Sequence, residues 1–208
     1  MKAIIYITTV LISLTSFAQS PYEKGMTKAL GLWSEGNSTE AVQLFERISS
    51  AEPEEWLPSF YAAQILTYSS FGEKDKEKVT TTLNKALELM NTAKTNSPEK
   101  NAELMVLEAQ YYTSWISFDG MTYGMKYAGK VGELYQNALA LAPDNPRVVL
   151  GKAEWDMGSA EYFGGDVKSY CKDVERAIKL FSTFQPESVL HPSGGLEHAQ
   201  EVLARSCN

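Results

Sequence analysis

The sequence predicts an all-α protein built from helical hairpins, and three observations support that fold class. Apolar residues recur every three or four positions along most of the chain after residue 19. No segment shows the sustained alternation of apolar and polar residues that is typical of a half-buried strand. Gly, Pro and Asn interrupt the helical segments at intervals that suit short turns between antiparallel helices.

The first predicted element is a signal peptide, over residues 1–18. Lys2 supplies a positive charge, and a largely apolar stretch of eleven residues follows it. Ser16 and Ala18 are small residues two positions apart, the pattern that precedes signal-peptidase cleavage. Eleven residues are too few to cross a bilayer core, which needs about twenty. We therefore expect cleavage after Ala18 and a single exported domain, residues 19–208, in the periplasm or outside the cell.

Export would place both cysteines of the chain, Cys171 and Cys207, in an oxidising compartment, where disulfides persist. A bridge between these two cysteines, which are 36 positions apart, would stabilise the fold by about 3–4 kcal/mol in the chain-entropy model. Two buried, unpaired thiols are the alternative, because the sequence does not supply the geometry that a bridge requires.

The first predicted hairpin joins a helix that ends near Gly36 to a helix that begins at Ser38. Gly36 can adopt the left-handed conformation that ends helices, and Ser38 is a favourable N-cap. Pro53 stops the second helix. The apolar faces of the two helices are formed by Ala29, Leu30, Leu32, Trp33, Ala41, Leu44, Phe45 and Ile48.

Three more hairpins and a final helix are predicted to follow. The predicted helices cover residues 57–71 and 79–93, residues 102–116 and 127–142, residues 147–157 and 167–181, and residues 195–205. Residues 117–129 are predicted to be an insert that lengthens the turn of the third hairpin. The last helix would cap the apolar edge that the fourth hairpin leaves uncovered.

This alternation of helices resembles the tetratricopeptide repeat, which places two helices in about 34 residues, with small residues where the helices cross. The residues that carry the resemblance are Ala29, Leu32, Gly36, Ala41, Phe45, Ile48, Pro53, Ala109, Tyr112, Tyr135, Ala138 and Pro143. The second and fourth units depart from the pattern, since Ser70 stands where Gly is usual and Asp156 where an aromatic residue is expected. The resemblance covers residues 22–183 and implies an α-α superhelix of about four hairpins plus the capping helix.

In the tetratricopeptide family, the first helices of successive pairs line a concave groove. The resemblance therefore implies a binding groove formed by Met26, Leu30, Trp33, Phe60, Gln64, Thr67, Val106, Gln110, Thr113, Arg147, Leu150 and Glu154. In the second and fourth units, the alternative that the groove positions are shifted along the helix by one residue stays open. This mixture of apolar side chains and amides suits an extended peptide or a small amphipathic ligand.

An aromatic-rich stretch over residues 111–127 is the most unusual local feature of the sequence. Its members are Tyr111, Tyr112, Trp115, Phe118, Tyr123 and Tyr127. These rings could fill the core or form an exposed wall that contacts a ligand, since exposed aromatic residues mark binding surfaces.

The sequence contains no motif for nucleophilic catalysis or for phosphate or dinucleotide binding. The two histidines, His191 and His198, are separated by a Pro-Ser-Gly-Gly segment that fixes no metal geometry. We therefore predict no catalytic residue, no metal site and no cofactor.

The acidic composition also excludes some partners. The formal net charge is −7, which disfavours nucleic acid and a basic membrane-binding surface. No membrane span is expected in the mature chain.

The predicted function is a non-catalytic exported scaffold that binds a protein or peptide. The alternatives are an accessory protein that handles a small solute for a transporter, and a metal-dependent hydrolase that uses His191 and His198. The oligomeric state is left open.

Overall fold

The computed structural model describes residues 20–97 and 99–207. These residues form nine α-helices and a short 3₁₀-helix, and no strand occurs among them. The helices are α1 Pro21–Ser34, α2 Ser38–Ala51, α3 Leu57–Ser70, α4 Lys76–Asn96, α5 Ala102–Phe118, α6 Gly120–Leu141, α7 Pro146–Phe163, α8 Cys171–Phe181 and α9 Leu196–Ser206, with the 3₁₀-helix Val167–Tyr170 before α8. The predicted signal peptide, residues 1–18, lies outside the described residues.

Neighbouring helices pack as successive hairpins, which confirms the predicted all-α superhelical fold class. The pairs are α1 with α2, α3 with α4, α5 with α6, and α7 with α8, and α9 packs on α8 as the predicted final helix. Ala29 and Ala41, the small residues predicted where α1 crosses α2, are both fully buried. None of the described helices is long and apolar enough to cross a bilayer.

Local signals in the sequence explain most helix ends. Ser20 and Glu23 form a capping box at the start of α1, in which each side chain accepts a hydrogen bond from the backbone N–H of the other residue. Gly36 follows α1 with a φ of 84°, the left-handed conformation that favours glycine. Ser38 was predicted as the N-cap of α2, but Asn37 holds that position and makes no side-chain cap hydrogen bond.

The long turn predicted for the third hairpin is wrong. Helix α5 continues to Phe118 and α6 begins at Gly120, so Asp119 alone forms the turn. Its carboxylate accepts a hydrogen bond of 3.0 Å from the backbone N–H of Thr122 and caps α6. The additional residues extend both helices, which makes this the longest of the hairpins.

A constant spacing of 44 residues relates the odd-numbered helices from α3 onward. A hydrogen bond joins the hydroxyl groups of Ser70 and Ser114, which are 44 residues apart. Glu103 and Arg147 form an ion pair across the same separation. Glu154 and His198 repeat it a third time. This spacing is longer than the unit of about 34 residues in tetratricopeptide proteins, so the resemblance extends to the architecture of helical hairpins and not to the length of the unit.

The predicted disulfide is confirmed. Cys171 at the start of α8 is bonded to Cys207 at the end of α9, with their Cα atoms 5.8 Å apart. The bond therefore joins the last helix to the fourth hairpin, in addition to the apolar packing of Ala199 and Val202.

Candidate functional site: the concave face

The odd-numbered helices line one side of the stack. Helix α3 packs on α5, and α5 packs on α7, whereas the even-numbered helices pack chiefly on their odd-numbered neighbours. In a superhelix the inner side is the side on which successive helices lie closer together, and here that is the side of the odd-numbered helices. We call this side the concave face, and it is the surface on which the sequence predicts a groove.

The structure places the twelve predicted groove residues at two depths. The buried set is Met26, Phe60, Gln64, Thr67, Val106 and Leu150. The partly exposed set is Leu30, Trp33, Gln110, Thr113, Arg147 and Glu154. A ligand can contact the second set without any movement of the helices. That these residues bind a ligand stays a prediction.

Three aromatic rings from α1 and α3 meet on the concave face. The ring centroid of Trp33 lies 6.1 Å from that of Tyr61 and 6.4 Å from that of Tyr68. The Gln64 amide nitrogen lies within hydrogen-bond distance of the Tyr68 hydroxyl, at 3.2 Å. Tyr68 is 40% exposed, so this group presents aromatic surface to solvent beside a polar amide.

The residues of α3 that contact Trp33 follow the predicted groove residues Phe60 and Thr67 by one position. Tyr61 and Tyr68 contact Trp33, and they are separated by seven residues, or two helical turns. The predicted Phe60 and Thr67 precede them by one position and are almost completely buried. Tyr61 is buried as well, whereas Tyr68 is 40% exposed, so the shift of one residue that the sequence left open for this unit stays open.

Unpaired polar atoms lie at the junction of α3 and α5. The Thr67 Oγ1 atom and the Gln110 Oε1 atom are buried and have no hydrogen-bond partner among the described residues. Nearby along α3, Ser70 bonds to Ser114 and to the carbonyl oxygen of Thr67. A buried polar atom without a partner costs free energy, so these two atoms lower the stability of this part of the fold.

A buried ion pair lies beside the aromatic group. The Arg147 Nε donates to Glu103 Oε2 at 2.8 Å, and the side chains are only 13% and 11% exposed. Asn145 donates a second hydrogen bond to Glu103, at 2.7 Å. Burial alone would lower the pKa of the Arg147 guanidinium, but the Glu103 carboxylate outweighs burial and raises that pKa above its usual value. The arginine is therefore charged and engaged within the protein.

A second pair, between α7 and α9, continues the face toward the C-terminus. The His198 Nε2 lies 2.7 Å from Glu154 Oε1. This hydrogen bond raises the pKa of His198, while partial burial opposes the shift. Tyr135 of α6 lies in the same region. Burial raises the pKa of its phenol, and the nearby charge of Glu154 adds to the effect. The sequence analysis did not include His198 in the groove, although the spacing of 44 residues from Glu154 would have placed it there.

One edge of the concave face is covered by residues 182–195, which connect α8 to α9 and which we call the strap. The Tyr61 hydroxyl donates a buried hydrogen bond of 2.7 Å to the carbonyl oxygen of Leu190. Arg147 donates from Nη1 to the carbonyl oxygen of Gly194 at 3.0 Å. The ring of His191 packs edge-on against Trp56 with centroids 5.8 Å apart. The strap thus closes the side of the face formed by the N-terminal ends of α3 and α7.

The aromatic-rich stretch packs mainly on itself and on the core. Tyr111 and Trp115 are buried, and the other four rings are partly buried against the core of the first two hairpins. Tyr123 and Tyr127 stack with their centroids 5.8 Å apart. The structure therefore supports the interpretation that these rings fill the core.

The two histidines lie apart, and neither belongs to a cluster of metal-binding side chains in the described part of the chain. Among residues 20–97 and 99–207, no group of three or more His, Cys, Asp or Glu side chains is placed to hold a metal ion. His191 contacts the strap residues Glu187 and Ser188, whereas His198 pairs with Glu154. The two histidines therefore have separate partners.

Comparison with solved structures identifies a protein of similar fold. The haemophore HusA from Porphyromonas gingivalis aligns with a TM-score of 0.77 over 88% of this chain and 92% of that chain, at 16% sequence identity. The two proteins share a fold. No protein-family model matches the sequence, and no curated protein matches it either. At this identity the similarity shows the fold alone.

Proposed function

We propose that this protein is a non-catalytic binding protein that acts outside the cytoplasm and holds a porphyrin, such as haem, on its concave face. The observation that carries the proposal is the fold shared with a haemophore over 88% of the chain. The name of that neighbour makes haem the ligand class to test first.

The chemistry of the concave face supports this ligand class. A porphyrin is a flat, largely apolar ring system, and such rings stack on aromatic side chains. Trp33 and Tyr68 offer partly exposed rings at one side of the face.

The proposal of export rests on two independent features. The N-terminal sequence has the pattern of a cleavable signal peptide. The disulfide between Cys171 and Cys207 belongs to the class of bonds that persists in oxidising compartments.

A peptide is the second candidate ligand, as the sequence predicts, and the strap supports it. The concave face already binds a non-helical segment of its own chain through main-chain carbonyl groups, which accept hydrogen bonds from Tyr61 and Arg147. A peptide in the same conformation offers the same carbonyl groups.

Titration of the purified protein with haemin and with iron-free protoporphyrin tests the first candidate. We expect saturable changes in porphyrin absorbance and quenching of tryptophan fluorescence with both compounds. Trp33→Leu and Tyr68→Leu should each weaken binding by roughly tenfold or more, the effect of losing an aromatic anchor. The matched control is Tyr162→Leu, because Tyr162 is an exposed aromatic residue at the C-terminal end of α7.

Two results would contradict porphyrin binding at this face: binding that does not saturate, and equal affinity in all three variants. The peptide candidate has its own test, with a variant whose strap is replaced by a Gly-Ser linker of equal length. Binding of a synthetic peptide of residues 186–194 to that variant, but not to the wild type, would favour a peptide ligand.

A further inference from the structure

Two exposed methionines occupy the start of α6. Met121 is 92% exposed and Met125 is 99% exposed. They are four residues apart, so they lie on the same side of the helix, about one turn from each other. Their neighbours Gly120 and Gly124 have no side chains, and a Cβ atom added at either glycine would meet only open space. Both thioether groups are therefore accessible to solvent from nearly every direction.

The other described methionines are in the opposite environment. Met26, Met90 and Met157 are buried in the core, at 0%, 1% and 5% exposure. Met105 is partly buried against the core formed by α5, α6 and α7. Within residues 20–97 and 99–207, the methionines thus fall into a shielded group and one accessible pair.

An apolar side chain that buries no surface contributes nothing to the packing of the helix that carries it. Helix α6 is held by Val131, Leu134 and Ala138, all of which are buried. Its N-terminus is capped by Asp119. A change of polarity at Met121 or Met125 therefore leaves the determinants of this helix in place.

We propose that Met121 and Met125 are the oxidant-reactive site of this protein and that they consume peroxide-class oxidants before the core methionines react. The thioether sulfur attacks one oxygen of hydrogen peroxide, the O–O bond breaks, and an S–O bond forms. The sulfur is oxidised by two electrons, the peroxide is reduced, and the oxygen now bonded to sulfur passes its proton to the departing hydroxide, which leaves as water. The product is methionine sulfoxide, which is polar and which thiol-dependent reductases return to methionine.

The consequences of oxidation differ between the two groups. A sulfoxide at Met121 or Met125 points into water. A sulfoxide at Met26 or Met90 would place a polar group without a partner in the core, which is destabilising. The accessible pair therefore protects the fold whenever oxidant is limiting. This proposal is independent of the ligand on the concave face.

Peptide mapping by mass spectrometry during treatment of the full chain with limiting hydrogen peroxide tests the site. Met121 and Met125 should form sulfoxide at least about tenfold faster than Met26, Met90 and Met157, since susceptibility follows exposure. Equal rates in the two groups, or resistance of the accessible pair, would overturn the proposal.

The double variant Met121→Leu plus Met125→Leu tests protection, because leucine keeps the size and apolarity of both side chains without the reactive sulfur. Its core methionines should oxidise earlier, and its thermal unfolding temperature should fall at a lower dose of peroxide than that of the wild type. Met105→Leu serves as the control, since it removes a thioether that is partly buried. If the double variant and the wild type lose stability at the same dose, the protective role is wrong.

Discussion

The hydroxyl of Tyr61 donates a hydrogen bond of 2.7 Å to the carbonyl oxygen of Leu190, which is 129 residues away in the sequence. Tyr61 belongs to the second hairpin, and Leu190 belongs to the strap that precedes the last helix. The Leu190 side chain is buried with the core of the first two hairpins. This contact therefore connects the second hairpin to the segment before the last helix, along one edge of the concave face.

Tyr61→Phe is expected to loosen the strap and to lower the free energy of unfolding by about 1–3 kcal/mol, because the buried Leu190 carbonyl is left without a partner. Urea unfolding measures the stability, and hydrogen exchange of the strap amides measures the local effect. Tyr162→Phe is the control, since Tyr162 is 75% exposed and its hydroxyl is free to bond to water. Unchanged strap exchange in Tyr61→Phe would show that the hydrogen bond does not hold the strap.

The ion pair of Glu103 and Arg147 predicts that substitutions at these two positions have strongly non-additive effects on the free energy of unfolding. Glu103→Gln and Arg147→Met should each lower the free energy of unfolding by about 3–5 kcal/mol, because each leaves the other group buried without its partner. The double variant should lose clearly less than the sum of the two single variants. A double-mutant cycle by urea unfolding measures the coupling energy.

Lys85→Met is the control for this cycle, because it measures the cost of losing an ion pair at the surface. Lys85 pairs with Glu46 at the surface, where both side chains are partly exposed, so its loss should cost less than about 1 kcal/mol. Additive effects at Glu103 and Arg147 would contradict the interpretation that the buried pair acts as a unit.

Two glycines of α7 are expected to respond to alanine in opposite directions. A Cβ atom added at Gly151 would lie 2.8 Å from a ring carbon of the buried Tyr135, whereas one added at Gly158 would meet open space. Gly151→Ala should therefore destabilise the protein by about 1–3 kcal/mol through overpacking. Gly158→Ala should be neutral or stabilising by up to about 1 kcal/mol, because alanine favours the helix. Thermal unfolding of both variants checks this, and equal effects would show that α6 and α7 can separate freely.

The hairpin architecture could be predicted because its determinants are local. Gly36 and Pro53 end helices by their own backbone properties, and Ala29 and Ala41 indicate a close crossing by their size. The disulfide could be predicted as a pairing because the chain has two cysteines and its N-terminal sequence has the pattern of an export signal.

The register of α3 could not be read from the sequence for a physical reason. Every residue from Leu57 to Ile65 is buried, so the helix has no polar side to fix its rotation. Phe60 and Tyr61 are equally suited to the core, and only the packed structure shows that Tyr61 contacts Trp33. The strap could not be placed either, because it is held by the carbonyl groups of Leu190 and Gly194, which every residue type possesses.

The disulfide should stabilise the fold by about 3–4 kcal/mol, chiefly by restricting the unfolded chain across its span of 36 residues. Cys171→Ser combined with Cys207→Ser should lower the free energy of unfolding by this amount. Reduced wild type should match the variant, and the variant itself should not respond to reductant. If wild type that mass spectrometry shows to be fully reduced keeps its stability, the bond contributes nothing to the fold.

The pair of His198 and Glu154 predicts that stability depends on pH in a defined direction. The hydrogen bond to Glu154 raises the pKa of His198 in the folded protein, with burial opposing the shift. Because the folded pKa lies above that of the unfolded chain, the stabilisation is present in full below the unfolded value of about 6.5 and is lost as the pH rises through the folded pKa. His198→Gln should therefore lower the unfolding temperature at about pH 5.5 and have little effect at about pH 9.

The size of this effect is limited by solvent, since the His198 side chain is 52% exposed. A difference of less than about 1 kcal/mol between the two pH values is expected. In a Glu154→Gln background, His198→Gln should have the same effect at both pH values, because the carboxylate that raises the pKa is gone. A pH-dependent effect that persists in that background would assign the titration to another neighbour of His198, with Glu201 on the same helix as the next group to replace.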